Sequence, residues 1–130
     1  MAVRAIAKGI RISPRKVSSV AALVRGRTVS DALVILNHTP RGAALPVKKV
    51  IESARANADY NHDYKADSLF IKTISVSPGV RYKRHRPVAR GQTHPFQLKT
   101  THIYVEVDGE KRPAKKTESA KKPTPEKETK

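Results

Sequence analysis

The sequence predicts an α+β fold in which three helices cover one face of a three-stranded antiparallel sheet, and a long β-hairpin protrudes from that sheet. Three observations predict this architecture. Three segments repeat apolar side chains at helical spacing, strand-like runs lie before and after them, and a long polar segment joins the last two strands. The 130 residues are enough for one domain, and no internal repeat suggests a solenoid.

The first strand is expected at residues 3–12. Ile6, Ile10 and Ile12 would share one face there, interrupted by Lys8. Alternation of this kind is typical of a half-buried strand, in this case one with a basic outer side.

The first helix is expected to begin at Pro14. Ser13 is a suitable N-cap, and proline at the first helical position loses no hydrogen bond. The apolar stripe of this helix consists of Val17, Val20, Ala21 and Val24. Gly26 is a favourable residue just beyond its C-terminal end.

The second helix is expected after Thr28, which forms a capping-box pattern with Asp31. Its stripe consists of Val29, Ala32, Leu33 and Leu36. Thr39 could then cap a third helix opening at Pro40, but Pro46 inside that helix would cost on the order of 3 kcal/mol. The third helix therefore either kinks at Pro46 or begins there. Its stripe consists of Val47, Val50, Ile51, Ala54 and Ala58, and the pattern ends at residues 61–63.

The last two strands are expected at residues 69–76 and 101–107, and residues 79–101 form an arm between them. Hairpin loops usually have two to five residues, so an arm of this length is either disordered or a two-stranded extension. As a ribbon at ~3.3 Å per residue, it would carry its tip roughly 30 Å from the body. Gly91 is the expected tip turn, and Pro87 and Pro95 limit strand pairing beside it.

The positive charge is concentrated in two blocks. The chain carries a net charge of +16, and neither residues 1–30 nor residues 68–105 contain an acid. Cations at this density repel one another unless a polyanion neutralises them, which indicates nucleic acid or an anionic surface as the partner. The candidate residues for binding such a partner are Arg4, Lys8, Arg11, Arg15 and Lys16 on the body, and Arg81, Lys83, Arg84, Arg86, Arg90 and Lys99 on the arm.

Three aromatic side chains of the arm, Tyr82, His85 and Phe96, have two interpretations. They could stack on unpaired bases, as in readers of single-stranded RNA, or pack across the ribbon. The composition gives no reason to expect catalysis, a metal or another cofactor. The chain has no cysteine and no histidine pair at metal-ligand spacing, and its acids lie in the helical middle and the tail. Without a long apolar run or a signal-peptide pattern, a cytoplasmic protein that does not bind membranes is expected.

Four motifs together resemble a known family. They are SPRK at 13–16 with RG at 25–26, DALVIL followed by TP at 39–40, the Asn57-Ala58 and Asn61-His62 pairs, and KRHRPVARG…KTTHIYVEV from 83 to 107. The chain resembles bacterial large-subunit ribosomal protein twenty-two over roughly residues 3–108. The hairpin motif is the specific part of this resemblance.

The resemblance implies a non-enzymatic structural protein whose body lies at the subunit surface near the polypeptide exit. Its hairpin would thread through ribosomal RNA and line the exit tunnel. It also implies early assembly of the subunit, contacts with several domains of large-subunit RNA, neighbouring large-subunit proteins and the nascent polypeptide as partners, and no homo-oligomer. The alternative is an architectural DNA-binding protein whose basic arm enters a minor groove, although such arms usually carry apolar wedges near the tip.

The expected domain organisation is an RNA-binding domain at residues 1–109, which includes the hairpin at 79–101, followed by a tail at 110–130. The tail is rich in Lys, Glu and Pro and has no large apolar residue. A segment of this composition cannot bury enough apolar surface to fold, so it is expected to be disordered when the protein is unbound.

Overall fold

The computed structural model describes residues 2–112 and contains three strands and three α-helices. In chain order they are β1 Val3–Ile10, α1 Pro14–Val24, α2 Val29–His38, α3 Ala44–His62, β2 Phe70–Pro87 and β3 Thr93–Asp108. The sheet is antiparallel with the order β1-β3-β2. This arrangement confirms the predicted α+β fold.

The core lies between the sheet and the helices. The predicted helix stripes are buried apart from Leu33, which is half-buried, and they pack against inward-facing side chains of all three strands. On β3 the alternation is as predicted, because Ile103, Val105 and Val107 are fully buried whereas His102 and Tyr104 remain partly exposed. Burial of this apolar surface stabilises the packing of the helices on the sheet, by roughly 25 cal/mol per Å² of surface removed from water.

The helix ends follow the predicted capping chemistry with one change. Thr28 Oγ1 accepts a hydrogen bond from the Asp31 N–H at 3.2 Å, as expected of an N-cap. Thr39 does not open the third helix, because it closes α2 with a hydrogen bond from its Oγ1 to the Ile35 carbonyl at 2.7 Å. Helix α3 begins at Ala44, so Pro46 lies in its first turn, where a missing N–H has no intrahelical partner to lose.

The predicted buried face of β1 is wrong at its start. Ile6 is 53% exposed, and Val3 and Ala5 face the core instead. The pairing with β3 shifts between Ala7 and Ile10, at Gly9, whose φ of 73° is in the left-handed region. A bulge inserts one extra residue and exchanges the two faces of the strand. Ile10 therefore packs against the core although Ile6 does not.

The described chain continues for three residues into the predicted tail. The Lys65 N–H donates to the Glu110 carbonyl at 2.9 Å, and the Arg112 N–H donates to the Asp63 carbonyl at 2.7 Å. The Arg112 guanidinium also contacts Asp59 at 2.7 Å. Residues 110–112 thus lie against the C-terminal end of α3. The remainder of the predicted disordered tail, 113–130, lies outside the described residues.

Candidate nucleic-acid interface

The arm is a two-stranded ribbon formed by the outer halves of β2 and β3. Its strands pair in unbroken register from Arg81 opposite Lys99 to Pro87 opposite Thr93. Every residue from 80 to 99 is exposed, so the ribbon has no core of its own. Side chains on an antiparallel pair alternate between two faces, and residues opposite each other share a face. The ribbon therefore presents two distinct surfaces to a partner.

One surface of the ribbon combines arginine with aromatic rings. Tyr82 lies opposite Leu98, Arg84 opposite Phe96 and Arg86 opposite His94. The Arg84 guanidinium lies 5.9 Å from the centre of the Tyr82 ring. The Arg86 guanidinium lies 5.8 Å from the centre of the Phe96 ring. Both distances are within the range of cation–π contact.

The positions of the arm's aromatic residues bear on their two interpretations. Phe96 contacts Arg86 across the ribbon, and Tyr82 contacts Arg84 of its own strand. Tyr82 and Phe96 nevertheless remain 47% and 40% exposed, which leaves ring surface for a base. His85 is separated from them, because it lies opposite Pro95 on the other surface. That other surface also carries Arg81, Lys83 and Lys99.

The tip of the arm is a tight turn at Ala89–Gly91. Arg90 has a φ of 63° and Gly91 a φ of 70°, both in the left-handed region. The Val88 N–H donates to the Gln92 carbonyl at 2.9 Å and closes the turn. Gly91 is therefore at the tip as predicted, and Arg90 is placed there beside it.

Two buried threonines anchor the base of the arm. Thr100 Oγ1 donates to the Val80 carbonyl at 2.7 Å, and Thr101 Oγ1 donates to the Ile12 carbonyl. The register of β2 against β3 shifts between Pro78 and Arg81, which is the position where the ribbon leaves the sheet. Neither threonine could be identified from the sequence. Their hydroxyl partners lie 20 and 89 residues away in the chain, so no local pattern could reveal them.

The base of the arm is where the two basic blocks of the sequence meet. One cavity, of ≈ 180 Å³, is lined by Arg15 of α1 and by Arg81 and Lys99 of the arm. A second cavity, of ≈ 300 Å³, is lined by Arg11, Tyr82 and Arg84 among others. The structure therefore places cations from both blocks beside each other at the base of the arm, on each face of the ribbon.

Arg4 and Lys8 lie on β1, outside these two cavities. The Arg4 Nε is 2.7 Å from Glu106 Oε1, and its carbonyl accepts a hydrogen bond from Asn57 Nδ2 at 3.4 Å. Among residues 2–112, Arg4 is the only one of the predicted RNA-binding cations in an ion pair with an acid. The other predicted cations keep their charge available for a polyanionic partner.

Within the described part of the chain, no cluster of His, Asp or Glu side chains could hold a metal ion. No helix in that part is long and apolar enough to cross a membrane.

Residues 5–108 match the family model described as ribosomal protein L22p/L17e. The chain is 50% identical to "Large ribosomal subunit protein uL22" of Desulfitobacterium hafniense over 104 residues, which cover 80% of this chain and 91% of that relative. It is 47% identical to the protein of the same name from Oceanobacillus iheyensis over 111 residues, or 85% of this chain and 98% of the relative. The uL22 of Clostridioides difficile is 43% identical over 111 residues, covering 85% of this chain and all of the relative.

Proposed function

Because the chain belongs to the ribosomal protein L22p/L17e family, whose members are structural constituents of the large ribosomal subunit and not enzymes, we propose that its basic arm binds large-subunit ribosomal RNA. One observation carries this proposal. The arm presents cations on both surfaces of a ribbon that has no core, and none of these cations has an acidic partner among residues 2–112. A thin ribbon of this kind can fit between RNA helices and contact phosphates on either side.

The body contributes to the same RNA contact through Arg11 and Arg15, which lie at the base of the arm, and through Lys16 on the first turn of α1. Arg4 and Lys8 extend the contact along β1, with Arg4 exchanging its Glu106 partner for phosphate on binding. The proposed RNA-binding unit is residues 1–109, including the hairpin at 79–101. By contacting several segments of RNA at once, it would stabilise their arrangement early in subunit assembly.

On the arm, the surface with Tyr82, Arg84, Arg86 and Phe96 would stack on unpaired bases and contact phosphates. The opposite surface, with Arg81, Lys83, His85 and Lys99, would contact phosphates alone. Arginine suits the first surface because its planar guanidinium both stacks and makes bidentate phosphate contacts. A DNA-bending arm would instead insert apolar wedges at its tip, where this one has only Val88 and prolines.

The salt dependence of binding to protein-free large-subunit RNA tests this proposal. Each displaced counterion contributes roughly −0.7 to −0.9 to the slope of log affinity against log salt. Replacing Arg84, Arg86 and Arg90 together with Ala should lower the magnitude of that slope by about one unit per lost phosphate contact.

A matched control replaces Lys49, Arg55 and Lys65 with Ala, since these are exposed cations outside both basic blocks. The control should change the slope much less. Equal slopes for the wild type and the arm variant would remove the arm from the interface and overturn the proposed function.

We further infer that the tip of the arm lines the polypeptide exit tunnel, where neighbouring large-subunit proteins and the nascent chain would be its partners. A photoreactive amino acid in place of Arg90 should crosslink to a stalled nascent chain. The same amino acid in place of Tyr60, an exposed residue of α3, should not. A crosslink at position 60 with none at position 90 would contradict the tunnel assignment.

A further inference from the structure

A cleft of ≈ 550 Å³ lies on the body of the protein, beside the N-terminal end of α1. Three separate parts of the chain form its walls: the β1–α1 connection, the first turns of α1 and the α2–α3 connection. They contribute, in pairs, Arg11 and Ile12, Lys16 and Ser19, and Arg41 and Gly42. Its size is in the range of about 300–1,000 Å³ that is typical of sites for small ligands.

The cleft gathers positive charge without a balancing acid. Arg11, Lys16 and Arg41 are all exposed, and none of them is in an ion pair among residues 2–112. Arg41 lies outside both basic blocks of the sequence and is brought to the other two only by the fold. Three converging cations repel one another, so a bound anion would relieve that repulsion.

The Arg41 side chain is held in place before any ligand binds. Its Nη1 donates to Ser19 Oγ at 2.8 Å, and the Ser19 hydroxyl in turn donates to the Lys16 carbonyl at 3.0 Å. The backbone of Arg41 is also fixed, because its N–H donates to the Thr39 carbonyl and its carbonyl accepts from the Ala44 N–H, both at 2.8 Å. A guanidinium positioned in this way loses little entropy on binding, and its other N–H donors are available to a ligand.

The cleft also has an apolar part. Ile12 is half-buried, and Ala43 is buried within the core cluster beneath the cleft. Cations beside an apolar surface match the two parts of an unpaired nucleotide, the phosphate and the sugar with its base. A cleft of this volume accepts a single nucleotide, whereas an RNA duplex would only contact its rim.

We propose that this cleft binds one unpaired nucleotide of large-subunit RNA, with the phosphate held by Arg11, Lys16 and Arg41. The proposal rests on the function proposed above, because it takes ribosomal RNA as the partner. It adds Arg41 to the proposed RNA-binding cations and joins it with Arg11 and Lys16 in a site that involves no residue of the arm.

Two variants test the cleft in different ways. Arg41→Ala removes a proposed phosphate ligand. Gly42→Glu adds a negative charge to the wall, at a position where an added Cβ atom would meet no atom within 4 Å. Arg55→Ala is the control, since it removes an exposed cation about three turns along α3 from the cleft. Melting curves establish that each variant folds.

The measurement is filter binding of each full-length variant to protein-free large-subunit RNA across a range of salt concentrations. Arg41→Ala should lower the affinity roughly tenfold and reduce the magnitude of the salt slope by about one unit. Gly42→Glu should lower the affinity at least as much, because it repels the phosphate while Arg41 is still present. Arg55→Ala should stay within about twofold of the wild type.

The outcomes separate this inference from the proposed function. If the triple arm variant weakens binding while Arg41→Ala and Gly42→Glu match Arg55→Ala, the cleft is not an RNA site and the arm remains one. Equal losses of affinity for Arg41→Ala and Arg55→Ala would attribute the effect to net charge and would also overturn the proposed nucleotide site in the cleft. If the arm and cleft variants all bind like the wild type, both proposals fail together.

Discussion

Gly79 lies directly against Thr100 at the point where the arm leaves the sheet: a methyl group on Gly79 would be 2.5 Å from Thr100 Oγ1 and 3.1 Å from the His102 ring. The Thr100 hydroxyl has little freedom to move, since it is buried and donates to the Val80 carbonyl. The close approach of β2 to β3 at this position therefore depends on glycine.

Gly79→Ala should lower the free energy of unfolding by about 1–3 kcal/mol, because overpacking displaces a hydrogen-bonded side chain. Gly42→Ala is the matched control, as its added methyl group meets nothing within 4 Å, and it should be neutral or slightly stabilising. Denaturant unfolding measures both. In the double variant with Thr100→Ala, the two costs should sum to more than the observed loss, since removing the hydroxyl relieves the clash. Strict additivity would show that the contact is not the cause.

Residues 110–112 should contribute measurably to stability. A chain ending at Gly109 loses the Glu110 and Arg112 backbone hydrogen bonds, whereas a chain ending at Arg112 keeps both. At about 1 kcal/mol per hydrogen bond, the shorter chain should melt roughly 5–10 °C below the longer one. Both chains lack residues 113–130, so the comparison isolates the three docked residues. Identical melting temperatures would mean that these contacts add nothing to the folded state.

The arm should exchange its amide hydrogens faster than the sheet in the isolated protein. Both are strands of the same hairpin, but the arm is exposed throughout, whereas Val105 is fully buried. A two-stranded ribbon is marginal in water, so its hydrogen bonds open locally without unfolding of the body. Hydrogen-bonded amides between residues 81 and 98 should exchange at least about 100-fold faster than that of Val105, and binding of large-subunit RNA should slow them. Equal protection at Arg84 and Val105 would show that the ribbon is stable by itself.

Asp108 should make stability depend on pH in the acid range. The Gly109 N–H donates to its Oδ1 at 3.0 Å and lowers the pKa of Asp108, with a further lowering from Lys72, 3.4 Å from Oδ2, while partial desolvation opposes both. A carboxyl whose folded pKa is lowered stabilises the protein above its unfolded pKa of about 3.9, and the stabilisation is lost as the pH falls through the folded value.

The Asp108→Asn variant should therefore melt below the wild type at pH 7, and the difference should shrink as the pH falls below about 4. Asp67→Asn is the control, because Asp67 is exposed and forms no ion pair among residues 2–112. Melting temperatures between pH 7 and pH 3 would show the effect. A constant difference at every pH would assign it to something other than the charge of Asp108.

The elements whose signals are local could be predicted from the order of residues alone. The buried stripe of α1 from Val17 to Val24 and the alternation from Ile103 to Val107 were visible because each element must direct apolar side chains to one side at its own period. Thr28 could be identified as a cap because its partner is three residues away. The concentration of charge in two blocks was likewise readable, as was the arm, since no acid and no apolar run interrupts it.

Features that depend on distant partners became visible in the folded protein and not before. Ile6 is exposed because a bulge at Gly9, whose N–H donates to His102 Nδ1 at 3.0 Å, exchanges the faces of β1. Arg11 lines a cavity with Arg84 at the base of the arm, although the two are 73 residues apart in the chain. It also lines the cleft of the body with Arg41, which is 30 residues away. Proximity of this kind is set by strand register and helix packing, which depend on the whole fold. Periodicity and capping, in contrast, involve residues only a few positions apart.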